Sequence, residues 1–199
     1  MKRLFFFREK KLEIDFSKIQ LTTPCMGMHK SFKQAVSEHR RFRTEDFYYP
    51  KINSRKRFIE YLNEIKERSS GRNLRAGIVP STAFWLTDGT HYLGSGDIRH
   101  HLNDELMTFG GHIGYSIRPL AQKKGLGTIQ LFLLLREANK LGIRTARITC
   151  FDENEASIKV IEKNNGVMVG TAYNDIRGVS RKTRIYELPT QSVTVYKQE

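Results

Sequence analysis

The stretch from residue 118 to residue 128 reads RPLAQKKGLGT and decides the fold. It joins an alternating segment, which predicts a strand, to a long apolar segment, which predicts a helix. Gly125 and Gly127 allow the backbone to approach a ligand closely, and the N-terminal end of the helix attracts anions. Three side chains add full positive charges: Arg118, Lys123 and Lys124. The stretch is therefore predicted to cradle a pyrophosphate group.

Two other kinds of phosphate loop fit this stretch less well. A Walker A loop requires Gly-Lys-Ser/Thr, whereas Gly127 is followed by Thr128 and Ile129. A Rossmann fingerprint requires a third glycine three residues after the second, and Gln130 stands there. A strand-to-helix turn that uses glycines only for its own geometry stays open as the alternative at this point.

The segments on both sides of the stretch predict further strands and helices. Alternating apolar and polar residues predict strands at residues 12–16, 82–87, 91–99, 112–117, 145–151, 167–172 and 184–188. Apolar residues at helical spacing predict helices at residues 28–43, 128–141 and 154–163, and one more between a cap at Asn53 or Ser54 and a stop at Gly71. Asp88-Gly89 predicts a two-residue hairpin turn, and Gly142 predicts a helix end.

The order of these segments predicts one domain. Residues 112–151 form a strand, a loop, a helix and a strand, which is long enough for a right-handed parallel crossover. Because there is no internal repeat and no low-complexity linker, the domain is predicted to extend over residues 1–189. Residues 190–199 have no clear place in the core and are predicted to form a tail.

The charge of the chain is positive and unevenly distributed. Its 199 residues carry a net charge of +13, and residues 1–75 hold 19 Lys and Arg against 9 Asp and Glu. A basic region attracts nucleic acid, acidic proteins or an anionic cofactor, or serves only as a solvated surface. No zinc-finger spacing and no RNA-binding aromatic motif accompanies the charge, which argues against nucleic acid as a partner.

The composition also limits the class of protein. An apolar content of 39% with 12 Phe excludes wholesale disorder. The longest strongly apolar run, residues 131–135, is too short to cross a membrane, and the apolar part of the basic N-terminal start is too short for a signal peptide. Cys25 and Cys150 fit no metal-ligand spacing, and no disulfide is expected. We therefore expect a cytoplasmic protein without a membrane partner.

The cradle stretch resembles the signature of the GNAT superfamily of N-acetyltransferases. That signature, Gln/Arg-x-x-Gly-x-Gly/Ala after the fourth strand, is matched from Gln122 to Gly127. The similarity continues through residues 148–150, 154–157 and 162–166. Residues 79–82, 98–100 and 110–115 resemble a bacterial GNAT group of unassigned substrate. The similarity is good over residues 75–188 and holds only in outline before them.

The resemblance implies a fold of the α/β (α+β) class in a single domain. Its sheet would be mixed and mostly antiparallel, with about six to seven strands, and about four helices would flank it. The fourth and fifth strands would form a parallel pair that splays apart at a cofactor cleft, within a cofactor-binding core at residues 112–166. Residues 1–75 would supply the first strand and the helices on the acceptor side.

The resemblance also implies acetyl-CoA as the cofactor. A primary amine of a small molecule or a protein would attack the thioester directly, and a backbone N–H near Ser116 or Ile117 would stabilise the oxyanion. The residues implied to bind the cofactor are Ser116, Ile117, Arg118, Gln122, Lys123, Lys124, Gly125, Leu126, Gly127, Thr128, Asn154 and Ser157. A homodimer stays open.

The catalytic acid and base are less well defined. Many GNAT members carry a tyrosine on the last helix near the CoA thiolate, and Ile161 stands there in this chain. Ser157, one helical turn earlier, and a proton from solvent or substrate are the alternatives. His112 and Tyr115 on the fourth strand are candidate bases, although a strand histidine can equally be structural. Further candidate bases are Asp97, His100, Asp104 and Glu105.

Two other functions stay open. The missing tyrosine is compatible with a protein of this fold that binds or senses acyl-CoA without turnover. The basic first 75 residues are compatible with a nucleic-acid-associated protein, whose binding would weaken steeply with salt. Four histidines, His91, His100, His101 and His112, fit no metal-ligand pattern, so no metal is expected. The acceptor amine itself is left open.

Overall fold

The structure, a computed structural model, describes residues 12–42, 50–176 and 178–191. Its strands are β1 (Gln20–Thr22), β2 (Ser81–Thr87), β3 (Tyr92–Arg99), β4 (Ile113–Ile117), β5 (Thr145–Phe151), β6 (Val167–Ile176) and β7 (Val179–Pro189). Its helices are α1 (His29–Arg41), α2 (Arg55–Ser70), α3 (Asp104–Thr108), α4 (Leu126–Lys140) and α5 (Glu155–Lys163). The signal-like start and most of the predicted tail lie outside the described residues.

The strands form two antiparallel sheets, with the orders β1-β2-β3-β4 and β5-β7-β6. The predicted α/β class is confirmed, and the seven strands of the described residues match the upper end of the predicted number. The predicted parallel pair does not form a ladder between the described strands β4 and β5. The residues just before β4 contact β5 through an isolated bridge from Gly111 to Ile148 and a 2.6 Å hydrogen bond from His112 N to Arg147 O. Gly111 has a φ of 63°, so the chain turns there and regular pairing does not continue.

The described residues contain five helices where about four were predicted. The additional helix, α3, is short and begins after Asn103, whose side-chain oxygen accepts a hydrogen bond from Leu106 N at 3.0 Å. This cap satisfies one of the N–H groups that have no partner within a helix. Two predicted helix ends are confirmed: Ser54 caps α2, and Gly142 follows α4 with a φ of 82°.

The predicted strand at residues 12–16 is wrong. The Asp15 carboxylate accepts a hydrogen bond from Ser17 N at 3.1 Å, and this local bond favours a 3-10 turn at Phe16–Lys18. The first strand is β1, which follows that turn and pairs with β2, with Gln20 opposite Thr87.

The predicted two-residue hairpin turn is also wrong. Thr87 of β2 pairs with Tyr92 of β3, so four residues connect the strands. The Asp88 carboxylate explains the longer loop, because its Oδ1 accepts hydrogen bonds from Thr90 N at 2.9 Å and from His91 N at 2.6 Å. A side chain that binds the backbone of the following residues stabilises a turn of its own.

Helices cover the two faces of the four-stranded sheet. Neighbouring residues of a strand point to opposite faces, so Phe84 and Trp85 of β2 lie in different layers. Trp85 packs against Phe32 of α1 and Phe58 of α2, with ring centroids 4.9 Å and 6.2 Å away. Phe84 packs on the other core cluster, which contains Leu134 of α4 and continues into the second sheet.

The predicted tail begins inside the core. Thr190 is 2% exposed, and its hydroxyl donates to Ile143 O at 2.6 Å. Both cysteines are free, and Cys25 is exposed whereas Cys150 is buried. No helix among the described residues is long and apolar enough to span a membrane. No three His, Cys, Asp or Glu residues of the described ranges are grouped as a metal site requires.

A buried ion pair joins α1 to the end of β4. The side chains of Arg118 and Glu38 are 4% and 13% exposed, and Arg118 Nε lies 2.9 Å from Glu38 Oε2. Arg118 Nη1 also donates to Ser31 Oγ at 3.1 Å and to Tyr92 O at 3.3 Å. Because a buried charge is tolerated only when it is paired and hydrogen-bonded, this contact fixes where α1 lies.

Replacing Glu38 should therefore destabilise the fold. Glu38→Ala leaves the Arg118 guanidinium buried without its counter-charge, and we expect the free energy of unfolding in urea to fall by about 3–5 kcal/mol. The control is Glu60→Ala, which removes an exposed carboxylate 3.5 Å from Arg57 and should cost less than about 1 kcal/mol. Equal losses of unfolding free energy in the two variants would show that the buried pair contributes no more to stability than an exposed one.

Candidate functional site

A cavity of about 890 Å³ opens where β4 ends and where α4 and α5 begin. The cradle stretch forms one wall, and the first turns of α5 form another. Ten of the twelve residues predicted to bind the cofactor line it: Ser116, Ile117, Gln122, Lys123, Gly125, Leu126, Gly127, Thr128, Asn154 and Ser157. The structure therefore brings together most of a set that the sequence spreads over 42 positions.

The cradle stretch is shaped by its own backbone. Gln122 Nε2 donates to Ile117 O at 3.2 Å and ties the stretch to the end of β4. Lys123 and Gly125 have φ angles of 59° and 79°, and this left-handed backbone leads the chain into α4. Leu126 and Gly127 follow at the first positions of α4, where N–H groups have no partner within the helix, and both residues line the cavity. An anion at this place would receive those N–H groups and the positive end of the helix dipole.

Gly127 also allows α4 and α5 to approach each other. A Cβ at this position would lie 3.1 Å from Val160 Cγ2 and 3.9 Å from Ile117 Cγ1. Both neighbours line the cavity, so a larger side chain would narrow the space between the two helices. The second glycine of the predicted cradle thus has a packing role that its spacing alone did not indicate.

The opposite wall is set by the start of α5. Asn154 caps this helix, because its Oδ1 accepts a hydrogen bond from Ser157 N at 3.0 Å. The cap places Ala156, Ser157 and Val160 along the cavity. The helical spacing of these residues from the cap is a signal from which sequence reasoning could have found Ala156 and Val160.

The charges of the cavity favour an anion. Three lining residues are cationic, namely Lys123 in the cradle, Lys159 on α5 and Arg181 on β7. Among the described residues that line the cavity there is no Asp or Glu. A concave site lined by one sign of charge raises the local concentration of ligands of the opposite sign.

Two residues of the cradle stretch point elsewhere. Arg118 was predicted to add charge to the site, but its guanidinium is bound to Glu38 and 3% of the residue is exposed. Lys124 Nζ donates to Leu12 O at 3.2 Å, on the segment that precedes β1. Partners distant in sequence hold both side chains, and neither residue lines the described cavity.

Tyr115 of β4 and Ser157 of α5 both line the cavity, and their side chains are neighbours. The hydroxyl oxygen of Tyr115 is buried. Burial raises the pKa of Tyr115 well above its usual value, and the Ser157 side chain opposes this shift only in part. The Tyr115 hydroxyl therefore stays protonated in neutral solution. In this form it can act as a proton donor but not as a general base.

His112, the predicted base, connects the two sheets and does not line the cavity. Its Nδ1 accepts a hydrogen bond from Arg147 N at 2.9 Å. Burial, followed by the positive charges of Arg147 and Arg99, lowers the pKa of His112. The neutral ring then carries its proton on Nε2, so neither nitrogen has a free lone pair. This geometry favours the structural interpretation of His112.

The other candidate bases are scattered. His100 Nε2 lies 2.8 Å from Thr82 Oγ1, and Asp97 lies 3.7 Å from Arg99. Burial raises the pKa of Asp97 and lowers the pKa of His100. Asp104 and Glu105 stand in the first turn of α3. None of these four residues lines the described cavity.

Seven lining residues were not among the predicted site residues: His39, Phe42, Ala121, Ala156, Lys159, Val160 and Arg181. Burial lowers the pKa of His39 to about 4, so this ring is neutral in neutral solution. His39 and Phe42 belong to the end of α1, and Arg181 belongs to β7, far from the cradle in sequence. No local pattern identifies such residues, because only the tertiary fold brings them to the cavity.

The chain belongs to the GNAT acetyltransferase family. The sequence model of the acetyltransferase (GNAT) domain matches residues 30–167, which include all but the first residue of α1, the cradle and α5. A search of curated proteins gives no match. The family assignment agrees with the signature at residues 122–127 and with the fold.

Several solved structures share this fold. The microcin C7 self-immunity acetyltransferase MccE, in complex with acetyl-CoA and AMP, has a TM-score of 0.65 at 16% identity over 86% of this chain and 92% of its own. RimL, a ribosomal L7/L12 alpha-N-protein acetyltransferase in complex with coenzyme A, has a TM-score of 0.65 at 15% identity over 87% and 94%. The Salmonella typhimurium acetyltransferase that modifies the N-terminal serine of the same ribosomal protein has a TM-score of 0.63 at 16% identity over 87% and 95%. At these identities the likeness concerns the fold.

A side chain at position 127 should impair ligand binding in this cavity. Gly127→Val places branched carbons between α4 and α5, where a Cβ alone already lies 3.1 Å from Val160. We expect the affinity for CoA, measured by calorimetry, to fall at least about tenfold, which is about 1.4 kcal/mol.

The matched control for this variant is Gly170→Val on β6, where an added Cβ meets nothing within 4 Å. It should bind CoA like the parent. A circular dichroism melt of both variants separates loss of binding from loss of fold. Unchanged CoA affinity in a folded Gly127→Val protein would exclude the cradle as the binding site.

Proposed function

We propose that this chain is an N-acetyltransferase, which transfers the acetyl group of acetyl-CoA to a primary amine of a small molecule or a protein. The observation that carries this proposal is the cavity at the start of α4, which combines a glycine cradle with three cationic side chains and has no carboxylate among its described lining residues. Such a site suits the pyrophosphate of CoA. When bound, acetyl-CoA would supply an acetyl group activated as a thioester.

The residues that would hold the cofactor divide by chemistry. The first N–H groups of α4, at Leu126 and Gly127, and the ammonium group of Lys123 are suited to the pyrophosphate. Ser116 and Ile117 at the end of β4 lie along the same cavity and offer a backbone edge that faces away from β3. A backbone N–H at this edge suits the negative charge that develops on the carbonyl oxygen during acyl transfer.

Tyr115 is the residue best suited to donate a proton. It lines the cavity, and its hydroxyl oxygen is buried beside Ser157. A phenol is protonated in neutral solution even at its ordinary pKa. The position of the family tyrosine is taken by Ile161, which is fully buried in the core. A hydroxyl on β4 would thus perform from a neighbouring element the task that a helix tyrosine performs in other members.

The acceptor must be neutral before it attacks, and its proton must leave. The neutral His112 ring is engaged through Nδ1 with Arg147 N, so we assign it to positioning of β4 against β5 and not to proton removal. RimL and the Salmonella enzyme act on a protein amine, which keeps the protein N-terminus among the acceptors to be tested. Release of CoA over a panel of small amines and peptide N-termini identifies the acceptor class.

One observation favours a second function. Because Ile161 occupies the place of the family tyrosine, a protein that binds acyl-CoA without turnover remains the alternative. Saturable acetyl-CoA binding with no CoA release for any amine or peptide in the panel would support this sensor. Failure to bind acetyl-CoA at all would exclude both functions.

Removing the Tyr115 hydroxyl should reduce turnover more than binding. For Tyr115→Phe we expect kcat to fall by about 100-fold, because a positioned acid contributes on the order of 10²–10⁴-fold. The affinity for acetyl-CoA should change by less than about twofold, since this corresponds to roughly 0.4 kcal/mol. Steady-state kinetics and calorimetry measure the two quantities.

The pH profile gives an independent check on Tyr115. A donor must be protonated, and its raised pKa means that Tyr115 should cause no loss of parent activity below about pH 10. Tyr173→Phe is the matched control, because Tyr173 is 72% exposed on β6 and should leave kcat unchanged. Full turnover in Tyr115→Phe would remove Tyr115 from the mechanism.

A further inference from the structure

The hairpin of β6 and β7 extends beyond β5. The last residue of β5, Phe151, pairs with Thr183 of β7, and the pairing of β6 with β7 continues to Ile176 and Val179. Residues 173–176 of β6 and 179–182 of β7 therefore form an arm of two strands that passes the end of β5, where the chain turns into α5. This arm carries Arg181 into the lining of the cavity.

The Arg181 guanidinium is held in place on the cavity wall. Its central carbon lies 3.4 Å from the centroid of the Phe151 ring. Its Nε and Nη2 lie 2.9 Å and 2.5 Å from Glu153 Oε1, and its side chain is 28% exposed. The aromatic face and the carboxylate together fix the plane of the group, so little side-chain entropy remains to be lost on binding.

The positive charges of the cavity come from separate elements. Lys123 belongs to the cradle, beside the N-terminus of α4, whereas Lys159 and Arg181 belong to α5 and β7. CoA carries three phosphate groups, two in its pyrophosphate and one on the 3′-oxygen of its ribose. If the cradle holds the pyrophosphate, Arg181 is the cation left for the third phosphate, and Lys159, whose Nζ lies 3.4 Å from Glu155 Oε2, lines the same cavity. The planar fork of an arginine matches phosphate oxygens in a way that a lysine does not.

We propose that Arg181, with Lys159, forms a subsite for the 3′-phosphate of CoA, so that the protein distinguishes CoA from dephospho-CoA. The inference rests on the proposed function, because it assumes that the cradle binds the CoA pyrophosphate. It adds a residue outside the GNAT signature, on the hairpin arm, to the groups that recognise the cofactor. Glu153 and Phe151 act as positioning residues for the guanidinium.

The test compares the affinities of CoA and dephospho-CoA by calorimetry at one ionic strength. The two ligands differ only in the 3′-phosphate, so their affinity ratio isolates that group. For the parent we expect CoA to bind at least about tenfold more tightly, as a charge-assisted contact allows. For Arg181→Gln we expect the ratio to approach one, through weaker binding of CoA and nearly unchanged binding of dephospho-CoA.

Arg184→Gln is the matched control. Arg184 lies on the same strand and forms a similar pair, with its Nε 2.5 Å from Asp152 Oδ1, but it does not line the cavity. The Arg184→Gln variant loses the same charge as Arg181→Gln and should keep the parent's ratio of CoA affinity to dephospho-CoA affinity. Arg181→Lys retains the charge without the planar fork and should give an intermediate ratio, and Lys159→Gln tests the second cation should Arg181→Gln fail to fold.

Each other outcome overturns the proposal in a recognisable way. Equal affinities of the parent for both ligands would show that the 3′-phosphate is not recognised. Equal weakening of both ligands in Arg181→Gln would mean that Arg181 only anchors the hairpin arm to Glu153. In both cases the proposed function stands, because CoA still binds. A parent that binds neither ligand would refute the proposed function and the subsite together.

Discussion

The contact between Arg118 and Glu38 determines how the cofactor side and the α1 side of the molecule are joined. It buries a guanidinium at the point where β4 leaves the sheet, and Glu38 Oε2 also accepts a hydrogen bond from Leu120 N at 3.4 Å, within the turn that opens the cradle. One carboxylate on α1 thus holds both the end of the strand and the start of the loop. The neighbouring His39 is brought to the cavity by the same contact, since it adjoins Glu38 on α1.

A second constraint is the interruption of the sheet between β4 and β5. Gly111 and His112 connect the strands at one end, where a Cβ on Gly111 would collide with Arg147 O. Beyond this junction, one edge of β4 pairs with β3, and the other edge has no ladder partner among the described residues. The open side is the one that faces α5, so the cavity is a consequence of incomplete pairing. A chain that paired β4 with β5 along its whole length would have no room for a ligand there.

The sequence predicted what depends on neighbours within about one helical turn. The cradle, the Asn154 cap and the helix stop at Gly142 are local features. Each depends on the type of residue at a given position, so the sequence alone predicts it. The contact of Arg118 with Glu38 was not predicted, because the two residues lie 80 positions apart. Arg181 was missed because β7 reaches the cavity only through the long hairpin. The predicted two-residue turn at Asp88 was wrong for another reason. The Asp88 carboxylate accepts hydrogen bonds from the backbone that follows it, and these bonds stabilise a longer loop than the usual Asp-Gly turn.

The two cysteines differ in exposure, so one of them can be labelled chemically without the other. Cys25 is exposed just before α1, whereas Cys150 lies buried in β5, where burial raises the pKa of its thiol to about 11. Only a thiolate reacts readily with maleimides, so at neutral pH a dye would attach at Cys25 and leave Cys150 intact. A fluorophore at that position would label the segment before α1 in the native sequence, without any engineered cysteine.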